Sequence, residues 1–120
     1  MSTRHIRAYF EANRRAMAES RELPVAILLT FLGVSIWESR EDQHGEPMTM
    51  EDLAAKTGHP ATTLSQHMAY LGEYYRQGKP GLGLVETEEY RHNRRKKVFR
   101  LTPKGRGLIR QLDLILRKAG

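Results

Sequence analysis

The stretch from Thr49 to Pro60 leaves this chain little choice of fold. Thr49 and Asp52 stand at the spacing of a capping box, the pairing that opens a helix by satisfying its first free amides. A short helix through Lys56 follows, Gly58 supplies a tight turn, and Pro60 suits the first position of another helix. Periodicity predicts that this next helix runs to about Tyr75. Leu64, Met68, Leu71 and Tyr75 then share one stripe, and Thr62, Ser65, Gln66 and Ala69 share the opposite one.

The segments on either side extend the pattern. From about Thr3 to Glu19, Ile6, Phe10 and Met17 recur at helical spacing, an apolar stripe that needs a partner. Pro24 opens a second helix to about Ser39 that is apolar nearly all round (Val25, Ile27, Leu28, Leu29, Phe31, Leu32, Val34, Ile36, Trp37) and is expected to be central. Ser39 to Pro47 is a polar loop. After Gln77–Gly83, dense in turn-formers, Leu84–Tyr90 and Lys96–Leu101 have the composition of two strands joined by the tip Arg91–Arg95. Glu86, Glu88 and Glu89 on the first strand face Lys96, Lys97 and Arg100 on the second, which favours an antiparallel pair. Thr102-Pro103 caps a last helix carrying Leu108, Ile109, Leu112, Ile115 and Leu116 along one side.

The expected architecture is a single, mainly α domain with a small β-hairpin, a winged helix-turn-helix over residues 1–120. Residues 1–39 form the N-terminal helices, 49–75 the helix-turn-helix, 84–101 the wing and 102–118 the C-terminal helix. The apolar stripes at both ends exceed what one small domain covers, so a two-fold dimer through the terminal helices is expected.

Charge placement points to the partner. The chain carries +6 overall with a pI near 9.9. Residues 91–120 alone carry about +10, with Asp113 as their single acid, against about −4 for residues 1–90. A basic last quarter beside a small-polar helix face suits double-stranded DNA. A recognition helix enters a major groove about 12 Å wide and reads base edges through polar side chains. Thr62, Thr63, Ser65 and Gln66 are the candidate readers, and Gln66 has the amide that pairs bidentately with adenine. Arg91, Asn93, Arg94, Arg95 and Lys96 on the hairpin are the candidates for a phosphate backbone or a minor groove.

Other functions find less support. No serine or histidine stands in a nucleophile context, so catalysis is not expected. There are no cysteines, and the five histidines are scattered without paired spacing, so no metal or cofactor is expected. The most apolar run, Leu23 to Trp37, is shorter than the roughly twenty residues of a membrane span, and a cytoplasmic protein is expected. The competing reading is a winged helix used as a protein-interaction or replication-origin module, which an apolar wing would favour.

Leu53-Ala54-Ala55-Lys56-Thr57-Gly58 with Thr62-Thr63-Leu64-Ser65 resembles the helix-turn-helix of the MarR family of bacterial regulators. Gly83-Leu84-Val85, and Asn93-Arg94-Arg95 through Val98-Phe99-Arg100-Leu101-Thr102-Pro103-Lys104-Gly105, are similar to that family's wing and following helix. The resemblance implies a homodimeric regulator, usually a repressor, on a pseudo-palindromic operator. It implies recognition by Thr62, Thr63, Ser65 and Gln66, and minor-groove entry by Arg94. It also implies a small-molecule effector such as an aromatic acid, although no residue set here specifies one. Four departures stand out: Asn93 where the family usually has aspartate, about eight extra residues between Leu71 and Leu84, one helix after the wing where many members have two, and His67 at a position that tends to be apolar.

Overall fold

The computed structural model describes residues 3–21, 23–76 and 78–118, without the side chains of 74–76 and 94. Five helices and two small antiparallel sheets follow in the order α1 (Arg4–Met17), α2 (Val25–Trp37), α3 (Met50–Thr57), α4 (Ala61–Leu71), β1 (Tyr74–Arg76), β2 (Lys79–Pro80), β3 (Val85–Tyr90), β4 (Asn93–Leu101) and α5 (Pro103–Arg117). None of the described helices is long and apolar enough to cross a membrane.

Local signals set the helix starts. The Asp52 carboxylate accepts from the Thr49 amide at 2.8 Å and the Thr49 hydroxyl at 3.1 Å, closing the first turn of α3. Gly58 ends α3 at a φ of 80°, a left-handed turn that glycine adopts without a Cβ penalty. The Thr102 hydroxyl accepts from the Gly105 amide at 3.0 Å, with Pro103 in the first helical position of α5.

The core gathers Phe31 and Val34 of α2, Leu53 of α3, Leu64, Met68 and Leu71 of α4, Leu84 and Val85, Phe99 and Leu101 of the wing, and Leu108 and Leu112 of α5. In α2 the expected all-round burial is only partial. Phe31 and Val34 are buried, while Val25, Leu29 and Ile36 remain open on another side. α1 lies on α5 through the small residues Ala8, Ala12 and Ala16, which leaves Ile6, Tyr9, Phe10 and Met17 facing outward.

Two boundaries differ from expectation. The recognition helix ends at Leu71 rather than near Tyr75, because residues 81–84 fold back onto its last turn. The amides of Leu82, Gly83 and Leu84 donate to the carbonyls of Tyr70, Gly72 and Leu71 at 2.8–2.9 Å, satisfying acceptors that a longer helix would have used internally. The extra residues form the β1–β2 hairpin, an element that periodicity did not suggest.

The wing tip is also shorter than expected. Only Arg91 and His92 form the turn, since Tyr90 pairs with Asn93 and β4 starts there. The ladder runs in register from Val85↔Leu101 to Glu89↔Lys97 and then jumps to Tyr90↔Asn93. Residues 94–96 therefore form a bulge in the strand instead of part of a loose tip.

At the junction of α2, the wing and α5 sits Glu38, whose side chain is only 11 % exposed. It receives a two-pronged contact from Arg106 (2.8 and 3.0 Å) and a third hydrogen bond from the Leu101 amide at 3.1 Å.

Candidate nucleic-acid interface

α4 is held from below by its apolar stripe, so its other side is free. Thr62, Ser65 and Gln66 are exposed, whereas Thr63 is half-buried at the edge of the row. Between α4 and the wing runs an open groove of about 530 Å³, bordered by Ala61, Ser65 and Ala69 on one wall and Arg95, Lys96 and Lys97 on the other. Ser65 thus shares a groove with three cations. Thr62 and Gln66 stand outside its lining, on the exposed face of the same helix.

The five wing residues singled out by sequence divide. Arg95 and Lys96 are exposed and face the groove. Arg91 borders a different hollow, together with Ser39, Arg40, Pro47 and Met48. The Asn93 carboxamide oxygen accepts from the Arg95 amide at 3.1 Å, so its task is to shape the bulge. The side chain of Arg94 lies outside the described residues.

Electrostatics separate the root of the wing from its end. Arg100 binds both Glu86 (2.6 Å) and Glu88 (3.4 Å), and this pairing holds its guanidinium above the usual arginine range. Lys96 and Lys97 make no ion pair among the described residues, nor does Arg95. The expected charge pairing across the strands is therefore carried by Arg100 alone. The root is neutralised and the far half stays positive, which is the distribution that attracts a polyanion to the wing's end.

Residues that pattern alone did not mark also shape the site. Glu51, Glu73 and Glu86 also line the groove, so its border carries acids as well as the three cations. Beneath α4, the His67 Nδ1 lies 2.9 Å from the Thr30 hydroxyl, and its ring meets the edge of His59 at 4.8 Å. His59 reaches the Ala26 carbonyl at 3.2 Å through Nε2. Burial, and then the proximity of His59, push the His67 imidazole below its usual range. His67 is thus a hydrogen-bonded strut between α2 and α4, with its neutral form favoured.

Sequence comparison agrees with this geometry. Residues 26–105, two thirds of the chain, match the winged helix DNA-binding domain, and the protein belongs to that family. Its fold is MarR-like. The crystal structure of MarR superposes with a TM-score of 0.57 at 17% identity, over 92% of this chain and 74% of that one. Bordetella bronchiseptica BpsR, described as regulated in its DNA binding by 6-hydroxynicotinic acid, gives 0.54 at 18% identity over 94% and 71%. Streptococcus pneumoniae FabT, solved in complex with DNA, gives 0.50 at 21% identity over 75% and 53%. No curated protein matches the sequence.

Proposed function

We propose that this protein is a sequence-specific regulator of transcription that binds duplex DNA as a two-fold dimer, acting as a repressor on a pseudo-palindromic operator. The observation that carries the reading is the shared groove. Ser65, one of an exposed polar row on α4, lines the groove together with Arg95 and Lys96 of the bulge, which make no ion pair among the described residues. The helix supplies base reading and the bulge supplies backbone grip. Titrating a random duplex across a salt series tests it: affinity is expected to fall steeply between about 50 and 200 mM salt. No binding at any salt would favour a protein-interaction module instead.

Base reading is assigned chiefly to Gln66. Gln66→Ala is expected to cost about 1–3 kcal/mol on a selected site and little on random duplex, since a bidentate base contact discriminates and a phosphate contact does not. Equal losses on both duplexes would remove Gln66 from the readers. Thr62 and Ser65 should show weaker selectivity of the same kind.

The dimer is assigned to the terminal helices. Ile6, Tyr9, Phe10 and Met17 on α1, with Leu114 and Leu116 on α5, leave large apolar side chains in solvent on two helices that pack together. A second copy covering them would set two recognition helices roughly 34 Å apart, one turn of DNA. Light scattering at micromolar concentration should give twice the 13.8 kDa of one chain, and a clean monomer would overturn the assignment.

A further inference from the structure

The polar loop between α2 and α3 is built more firmly than a connection requires. The Asp42 amide donates to the Glu46 carbonyl at 2.7 Å, and the Met48 amide to the Arg40 carbonyl at 3.0 Å. One Asp42 carboxylate oxygen accepts from the amides of both His44 (2.8 Å) and Glu46 (3.1 Å). These bonds hold the Asp42 carboxyl below its usual range, so the loop's central acceptor is charged at neutral pH. Thr49, just after the loop, bridges to Val98 of β4.

The loop presents one side chain to the wing at its far end. The Tyr90 hydroxyl donates to the Glu46 carboxylate, and the Tyr90 ring meets His92 edge-on at 5.5 Å. Tyr90 is the last residue of β3 and pairs with Asn93, whose side chain shapes the bulge. Lys96 also lies close enough to Asp42 to lower its pKa slightly. A two-stranded ribbon is marginally stable by itself, and its free end would otherwise move.

We infer that Glu46 and Tyr90 are positioning residues: the loop acts as a brace that fixes the height and tilt of the wing's end, so that Arg95 and Lys96 meet the backbone while α4 lies in the adjacent groove. This rests on the DNA-binding reading above. Rigid placement adds affinity because the bulge need not be ordered at the moment of binding.

The test is a double-mutant cycle read by duplex affinity, and by amide exchange of residues 91–97 in the free protein. Tyr90→Phe keeps the ring and removes the donor, and Glu46→Ala removes the acceptor. Each should speed exchange in 91–97 and weaken binding by about three- to tenfold, the range expected for one lost hydrogen bond. The two together should lose no more than either alone. Glu46→Gln, which keeps an acceptor, should remain within about twofold of wild type. In a background lacking Arg95 and Lys96 side chains, Tyr90→Phe should cause no further loss. Unchanged exchange and affinity in Tyr90→Phe, additive losses, or a loss persisting in that background would each overturn the inference. If the wild-type protein binds no duplex, the functional reading fails, and the exchange data still decide whether the brace exists.

Discussion

Replacing Arg95 and Lys96 together with alanine is expected to weaken binding to every duplex, specific or random, and to flatten its salt dependence. Each lost phosphate contact removes close to one unit from the log–log slope, so two contacts flatten it by about two and lower affinity by about thirtyfold near 0.15 M salt. The size of the effect follows from the free state of both side chains. They are exposed and make no ion pair among the described residues, so their charge is not already spent within the fold. The same exposure means stability should stay within about 0.5 kcal/mol of wild type, as a melting curve would show. If the bulge tracks a minor groove, preference for A·T-rich flanks should weaken too, because the narrow groove concentrates negative potential. A folded double variant with full affinity and an unchanged slope would mean that the bulge does not touch DNA.

Gly105→Ala is expected to be among the most damaging small substitutions in the chain. A Cβ at Gly105 would sit 2.0 Å from the Leu84 carbonyl oxygen and 3.0 Å from its carbon, both backbone atoms. That carbonyl already accepts from the Thr102 amide at 3.0 Å, and the Thr102 hydroxyl donates to the neighbouring Gly83 carbonyl at 2.6 Å. Relieving the clash would thus part the root of the wing from the start of α5. The expected cost is about 3 kcal/mol or more, above the usual range for one extra methyl in a packed site. Gly107, two residues on in the same helix, has nothing within 4 Å of its own Cβ position. Gly107→Ala should stabilise by up to about 1 kcal/mol, through helix propensity. Thermal unfolding of the two variants should move in opposite directions, and similar midpoints would show that α5 does not approach Leu84 so closely.

These two glycines illustrate what was legible in the chain and what was not. A glycine inside a helix looks the same in sequence whatever surrounds it, and only the approach of a distant carbonyl tells these two apart. Signals acting between near neighbours survived intact: the Thr49 and Asp52 pairing, the Gly58 turn and the Thr102-Pro103 cap each formed where their spacing put them. The end of α4 was hidden because Tyr75 continues the apolar period, while the force that stops the helix comes from Leu82 and Leu84 returning through space. In the candidate site, exposure of Thr62, Ser65 and Gln66 followed from the stripe opposite Leu64 and Met68. The division of the wing did not follow from composition. Arg91 and Arg95 look equivalent in a basic run, and it is the jump in strand register that leaves Arg95, and not Arg91, bordering the α4 groove. Glu46 and Tyr90 carried no signal at all, since neither belongs to a periodic pattern and they lie far apart in sequence.

Glu38 makes the helix pair α1–α5 and the wing parts of one lever. Its carboxylate grips the Arg106 guanidinium on α5 and the Leu101 amide at the end of β4 at the same time, with no flexible linker between them. Leu101, Thr102 and Pro103 are consecutive, so a tilt of α5 must carry the trailing wing strand with it. Any pivot at the subunit contacts proposed for α1 and α5 would therefore arrive at the DNA end as a sweep of the bulge, enlarged by the length of the ribbon. In the proposed dimer, the spacing of the two half-sites and the angle of the wing would then be coupled through Glu38.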